Sequence, residues 1–136
     1  MKELVYRDQF YEFSVDTSKN RLYHVLRGDW NDVSVVQDYL KHNNESVDRL
    51  QPGFTMLNDM SEAVLPADEV MQKIVEILLQ AHMYSEQAGM RKQAQIVKKD
   101  TKDVSATARK VMKETDYDAK MIQFTDPEEA EKWLDM

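Results

Sequence analysis

The sequence contains no cysteine and has only three glycines and three prolines among its 136 residues. Without cysteine, disulfides, thiol catalysis and thiolate metal sites are all excluded. No Pro-, Gly- or Ser-rich stretch and no low-complexity tract is present, so no linker is indicated. We therefore expect one domain spanning residues 1–136, and folding at this length buries roughly two-thirds of the surface that the unfolded chain exposes.

Long apolar runs and a secretory signal are also absent. No run approaches ~18 consecutive apolar residues, which a membrane-spanning helix would need. The first seven residues, MKELVYR, mix charged and apolar side chains, unlike the start of a signal peptide. We expect a cytoplasmic protein without membrane insertion.

Basic residues are outnumbered, with 18 Lys and Arg against 25 Asp and Glu, so the formal net charge is -7. This balance argues against general affinity for nucleic acid or anionic membranes. Residues 91–113 are an exception, because they hold eight basic and two acidic side chains. We interpret them as the solvated faces of a strand and a helix, with an anion site as the alternative.

Motifs for catalysis and for metal binding are missing. The sequence has no Gly-rich phosphate loop, no Gly-x-Ser-x-Gly and no His-Glu-x-x-His. Its three histidines, His24, His42 and His82, are too far apart in sequence to form a local metal-ligand pair. We therefore expect no enzyme, no metal and no cofactor; a weaker alternative is an enzyme that combines Asp59 with His24 or His82.

The hydrophobic pattern predicts an α/β fold with a five-stranded, mixed, largely parallel sheet, an N-terminal hairpin and four helices. Alternating side chains at 11–15, turn-forming residues at 16–20 and an apolar stretch at 21–27 predict an antiparallel hairpin. Further strands are predicted at 54–59, 94–97 and 120–124. Helices are predicted from Asn31 or Asp32 to Leu50, from Ala67 to near Gly89, from Asp103 or Ser105 to Met112, and from Asp126 onward. Alternating strands and helices after the hairpin favour right-handed crossovers.

This order of elements, together with three stretches, resembles the STAS/SpoIIAA-like family, which includes anti-sigma-factor antagonists and related small STAS/SEC14-type bacterial proteins. The stretches are SKNRLYHVLRGDW (18–30), PGFTMLNDMS (52–61) and FTDPEEAEKWL (124–134). In the antagonists, a loop after the third strand carries Asp-Ser-Ser-Gly, and a partner kinase phosphorylates one serine. The corresponding place here reads Pro66-Ala67-Asp68-Glu69, so that switch is not carried over. Asp68 and Glu69 would lie at the N-terminus of the next helix, where the helix dipole stabilises each carboxylate by about 0.3–1 kcal/mol.

The resemblance implies a non-catalytic protein-interaction or regulatory module with a protein partner. We expect contact through the 59–69 loop and the start of the long helix, where Asp59 and Ser61 follow a strand whose carboxyl end can bind ligands. The alternative is that these two side chains satisfy loop amides and cap a turn. The candidate contact residues are Asp59, Met60, Ser61, Asp68, Glu69 and Met71.

A second hypothesis concerns the nine methionines. Methionine at these positions is ordinarily core filling, but it also lines adaptable apolar pockets. The alternative function is therefore a binding protein for a small apolar or lipid-like ligand of the SEC14/CRAL-TRIO type, which the resemblance also suggests. Trp30 and Trp133 are interpreted as hydrophobic clamps. A homodimer through leftover apolar side chains of the long helix is left open.

Overall fold

A six-stranded sheet forms the centre of the molecule in the computed structural model, which describes residues 2–30, 33–64, 68–97 and 121–136. Strands β1 to β3 are antiparallel, and β3 to β6 are parallel and adjacent in chain order. The strands are β1 (Glu3–Arg7), β2 (Tyr11–Asp16), β3 (Arg21–Asp29), β4 (Thr55–Val64), β5 (Lys92–Ile96) and β6 (Met121–Phe124). The helices are a 3-10 turn (Val33–Val36), α1 (Tyr39–Val47), α2 (Asp68–Gln87) and α3 (Pro127–Asp135).

The mixed sheet and its hairpin, β2–β3, confirm the predicted class, but the predicted strand number is wrong. β1 was missed because it is an edge strand whose side chains are half-buried or exposed, so its sequence has no clear apolar face. The helix predicted from 31 to 50 is divided, because Asp38 adopts a left-handed backbone (φ 62°) between the 3-10 turn and α1. The helix predicted to start at Asp103 or Ser105 lies outside the described residues.

The two faces of the sheet bury separate apolar clusters. α1 packs against α2 and against β1 and β2. Strands β3, β4 and β5 follow one another in a single direction across the sheet. Right-handed connections between parallel strands that advance in one direction place their helices on the same face, so α1 and α2 lie together. The core on this face includes Tyr11, Phe13, Leu22, Leu26, Trp30, Tyr39, Met56, Ile74 and Met90. On the opposite face α3 covers a smaller cluster, composed of Tyr23, Leu57, Ala94, Ile96, Ala130 and Leu134.

A buried arginine fixes α3 to the sheet. The Asp126 carboxylate accepts a hydrogen bond from the backbone N–H of Glu128 (3.0 Å), so the helix begins where the sequence predicts. The guanidinium of Arg21 donates to Glu131 and to Asp135 (2.8 Å) in α3. The bond from Arg21 lowers the pKa of the Asp135 carboxyl. The terminal helix is therefore held by charge as well as by apolar contact.

The loops before β4 and β5 meet closely at the amino-terminal edge of the parallel strands. The backbone N–H of Gly53 donates to the carbonyl of Gly89 (2.7 Å). Gly89 has φ +103°, and a Cβ there would lie 2.9 Å from Cα of Pro52. Only glycine accommodates both the backbone angle and this approach.

Candidate functional site

The segment predicted to be a contact loop is largely strand. β4 continues to Val64, and its residues pair with β3 as Val25 with Asp59 and Arg27 with Glu62. The predicted strand end at residue 59 is therefore wrong, because backbone pairing with β3 extends β4 past the apolar run that the sequence displays. The connection to α2 is short and consists of residues 65–67, which lie outside the described ranges.

A β-bulge interrupts this pairing at Asp59–Ser61. Between Val25 and Arg27 the register shifts by one residue, so β4 contains one more residue than β3. An Asp59 oxygen accepts hydrogen bonds from both the backbone N–H (2.9 Å) and the hydroxyl (2.6 Å) of Ser61. These bonds are the local turn role that the sequence left as the alternative for the two side chains.

Beyond the bulge, β4 presents one carboxylate, that of Glu62, and one exposed apolar side chain, that of Val64. The side chain of Glu62 is 68% exposed, and Val64 is 56% exposed. Val64 pairs with the exposed Asp29 of β3. Glu69, in the first turn of α2, is also exposed. We call Glu62, Val64 and Glu69 the junction surface, since they flank the connection between β4 and α2.

An ion-pair chain lies beside the junction surface on the same face of the sheet as Glu62. Arg27 Nε lies 4.0 Å from Glu62 Oε2, and Arg27 also donates to Glu12 (3.3 Å). Glu12 accepts a second bond from Arg7 (2.5 Å). Burial raises the pKa of Glu12, but the bonds from Arg7 and Arg27 outweigh it and lower the pKa overall. The sequence did not reveal this chain, because it depends on β1 pairing with β2.

The two methionines among the candidate contact residues, Met60 and Met71, lie beneath the molecular surface rather than on the junction surface. Met60 is half-buried against the core of the α1–α2 face, and its sulfur accepts a hydrogen bond from the amide of Gln95. Met71 is 3% exposed and belongs to the core under α2. It supports the start of α2 from beneath and cannot meet a protein partner at the surface. Asp68 is the first residue of α2.

The histidines do not form a catalytic pair with Asp59. The ring of His24 stacks on Phe13 of the neighbouring strand β2, with centroids 4.4 Å apart, on the face covered by α1 and α2. Asp59 pairs with Val25, one residue along β3, so its side chain points to the opposite face. His82 lies on α2 and is buried, with Nε2 3.5 Å from a Glu86 oxygen.

Burial also determines the charge of His24. The side chain is 2% exposed, and Nε2 lies 3.0 Å from the hydroxyl of Tyr39. Burial lowers the pKa of His24 to about 3, since desolvation penalises the imidazolium. His24 is therefore neutral at physiological pH and packs as a core residue.

Three further features were considered from the sequence, namely a metal site, a membrane-spanning helix and an anion site. Among residues 2–30, 33–64, 68–97 and 121–136, no group of three or more His, Asp or Glu side chains could hold a metal ion. No helix in these ranges is long and apolar enough to cross a membrane. Most of the basic segment 91–113 lies outside the described residues, so the anion-site alternative stays a prediction.

Solved structures of SpoIIAA have the same fold as this chain. The phosphorylated form of SpoIIAA, the Bacillus cell fate determinant, is 16% identical, with a TM-score of 0.58 over 90% of this chain and 98% of that chain. An uncharacterised Shewanella loihica protein with a SpoIIAA-like fold is 15% identical, with a TM-score of 0.59 over 95% and 97%. The anti-sigma factor antagonist SpoIIAA in its unphosphorylated form is 14% identical, with a TM-score of 0.53 over 100% and 98%. The sequence matches no protein-family model and no curated protein. The chain thus has a STAS/SpoIIAA-like fold.

Proposed function

We propose that this chain is a non-catalytic protein-interaction or regulatory module of the STAS-like type. The proposal is supported by the fold, since the structures that share it include SpoIIAA, described as a cell fate determinant and as an anti-sigma factor antagonist. It is also supported by the separation of Asp59 from the histidines across the sheet. The partner is a protein that contacts the region 59–69 and the start of α2.

The observation that carries this proposal is the exposed Val64, which pairs with the exposed Asp29 of β3 and follows Glu62 on the same face of β4. Beyond Asp59, β4 pairs with β3 and no longer with β5, and the exposed side chain of Val64 lacks the stabilisation that burial would give it. At an interface, however, such a side chain contributes affinity, and the surrounding charges contribute specificity and association rate. Glu62 and Glu69 supply those charges, so the partner surface is expected to be basic around an apolar contact.

Asp59 and Ser61 have a positioning role in this proposal. Their mutual hydrogen bonds hold the bulge, and the bulge reverses which residues of β4 face outward. After it, Glu62 lies on the outer face and Ala63 is buried in the core. Without the bulge, Glu62 and Val64 would point to the face that α1 and α2 cover. Burying the Glu62 carboxylate there would destabilise the fold.

The test is quantitative affinity capture with charge-reversed variants of the full chain. The double variant Glu62→Lys/Glu69→Lys is compared with a matched control, Glu3→Lys/Glu76→Lys, which makes the same charge change at exposed positions of β1 and mid-α2. A partner that uses the junction surface is lost with the first variant and kept by the second. Its purified form should then bind the first variant at least tenfold more weakly in calorimetry.

The proposal fails if both double variants and Val64→Ser retain every protein that the unaltered chain captures. It also fails if the two double variants lose the same proteins, because net charge would then explain the loss. Circular dichroism of each variant confirms that the fold is unchanged, so that loss of binding reports on the surface.

Two earlier hypotheses stay predictions. Met56, Met71 and Met90 are buried in the core, which is the ordinary role of methionine, and no observation among the described residues favours an apolar or lipid-like ligand. A homodimer is likewise untested.

A further inference from the structure

Three aromatic rings lead from the core of the α1–α2 face to the edge of the sheet. Trp30 and Tyr11 are fully buried, and Tyr6 of the edge strand β1 is half-buried. The ring centroids of Trp30 and Tyr11 are 6.4 Å apart, and those of Tyr11 and Tyr6 are 5.2 Å apart. Both separations are typical of aromatic pairs that interact directly. We call Trp30, Tyr11 and Tyr6 the aromatic relay.

A β-bulge in β1 places Tyr6 in the relay. At the bulge the register between β1 and β2 shifts by one residue, and Tyr6 pairs with Phe13, on the face that α1 and α2 cover. With a continuous register Tyr6 would pair with Glu12 and point to the opposite face, away from Tyr11. The edge of the sheet is thus built to bring Tyr6 onto Tyr11.

The members of the relay differ in what accepts their proton. The Trp30 indole and the Tyr11 hydroxyl donate to backbone carbonyls, at 2.9 and 3.2 Å. A carbonyl is far too weak a base to remove a proton from either group. The Tyr6 hydroxyl instead donates to the Asp8 carboxylate (2.9 Å), and this hydrogen bond raises the pKa of Tyr6. Within the relay, Tyr6 alone can therefore release its proton to a base as it loses an electron.

This difference determines where an electron vacancy comes to rest. A one-electron oxidant such as the carbonate radical takes one electron from Trp30 and becomes carbonate. Electrons tunnel over several ångströms of protein, so the buried indole loses its electron without touching the oxidant. The result is an indole radical cation in the core, where a charge without a counter-ion is costly.

Electron transfer along the relay removes that charge. Tyr6 gives one electron, through Tyr11, to the Trp30 radical cation, which returns to the neutral indole. The phenolic proton of Tyr6 moves at the same time to the Asp8 carboxylate. The products are a neutral tyrosyl radical and a neutral carboxyl group, so no charge stays in the core. We propose that the aromatic relay carries oxidising equivalents from the core to Tyr6 and so protects Trp30 from oxidation.

Tyr39 is the competing end point. Its ring centroid lies 5.2 Å from that of Tyr11, and its hydroxyl contacts Nε2 of His24 (3.0 Å). Proton transfer from Tyr39 would create an imidazolium in the core, and burial lowers the pKa of His24 to about 3. Asp8 is only half-buried and becomes neutral when it takes a proton. The vacancy is therefore more stable at Tyr6 than at Tyr39.

The test oxidises the full chain at low dose with ruthenium(III) tris(bipyridine), a one-electron oxidant generated by light. Oxidation products at each tryptophan are quantified by peptide mass spectrometry. Trp133 is the internal reference, because it lies on α3, on the opposite face of the sheet, where its ring contacts Phe124.

Two variants interrupt the relay at its outer end. Tyr6→Phe keeps the ring and removes the hydroxyl, whereas Asp8→Asn keeps the hydroxyl and removes the carboxylate that takes its proton. Each pKa unit lost in the proton acceptor is about a tenfold change in equilibrium, so products at Trp30 should rise at least about threefold in both variants. Products at Trp133 should not change. The matched control is Tyr84→Phe, which removes another hydroxyl bonded to a carboxylate (2.6 Å) but outside the relay, and it should leave Trp30 unaffected.

Three results would overturn the proposal. In the first, Tyr6→Phe leaves the products at Trp30 unchanged. In the second, products at Trp30 and Trp133 rise together, since a general rise reports only the dose of oxidant. In the third, Tyr39→Phe raises the products at Trp30 and Tyr6→Phe does not, which would place the end point at Tyr39. Circular dichroism verifies that each variant is folded, and Tyr6→Phe decides the outcome if Asp8→Asn is not.

Discussion

Acidification below neutral pH should destabilise the fold through His24. This side chain is buried between Phe13 and the Tyr39 hydroxyl, and burial lowers its pKa to about 3. In the unfolded chain a histidine titrates near 6.5. Between these two values the unfolded state binds a proton that the folded state does not, so a falling pH favours unfolding. The stability present above pH ~6.5 is therefore lost progressively as the pH falls towards ~3.

The magnitude follows from the difference between the two pKa values. Each pH unit well below ~6.5 costs about 1.4 kcal/mol until the folded pKa is reached. Between pH ~7 and pH ~6.5 the histidine of the unfolded chain is only partly protonated, so this interval contributes little. The expected loss of unfolding free energy between pH ~7 and pH ~5 is therefore about 2 kcal/mol. This is a large share of the ~5–15 kcal/mol typical of a domain.

The assay is urea unfolding at both pH values for the unaltered chain and His24→Gln, monitored by tryptophan fluorescence, which reports on unfolding because Trp30 is fully buried. Glutamine does not titrate and can still bond the Tyr39 hydroxyl. Subtracting the pH effect of the variant from that of the unaltered chain cancels the contributions of other groups and should leave about 2 kcal/mol. Equal pH dependence in the two proteins, or an NMR titration of His24 between pH ~5 and pH ~7, would refute the reasoning.

Three further substitutions test the fold by thermal unfolding and urea titration. Gly89→Ala should lower the free energy of unfolding by about 3 kcal/mol, because it adds a clash to an unfavourable φ. Gly53→Ala, with φ +90° but open space around the added Cβ, should lower it by only about 1 kcal/mol. Equal losses would contradict the close approach of the two loops. Arg21→Ala should cost about 2 kcal/mol and increase amide exchange throughout α3, since it removes a buried cation from half-exposed carboxylates. The exposed Arg7→Ala is the control and should cost less than about 1 kcal/mol without affecting α3. Asp126→Ala should cost about 1 kcal/mol through the lost helix cap, and an unchanged midpoint would show that the cap contributes little.

The candidate site was only partly predictable. The sequence placed Asp59 and Ser61 at the end of an apolar strand and left open whether they contact a partner or satisfy a turn. The bulge that joins them depends on the register between β3 and β4, and a one-residue shift cannot be read from either strand alone. The exposure of Val64 follows from the same pairing.

The cross-strand neighbours of His24 and the ion-pair chain were beyond prediction for a related reason. His24, Asn58, Gln95 and Gln123 stand next to each other only because four strands align in one register. The chain from Arg7 to Glu62 requires β1, a strand without a clear apolar face. Residues that meet only through strand pairing are separated by no characteristic number of residues, so the sequence alone does not reveal such groups.

The sequence by itself determined the α/β class, the hairpin, the parallel strands and the start of the terminal helix. These features depend on hydrophobic period, turn residues and caps, which act over a few neighbouring residues. Only the tertiary structure decided the sixth strand, the length of β4, the neutral state of His24 and the attachment of α3 through Arg21 to Glu131, 110 residues away. Those features arise from burial and from contacts between distant segments, which exist only once the sheet has formed.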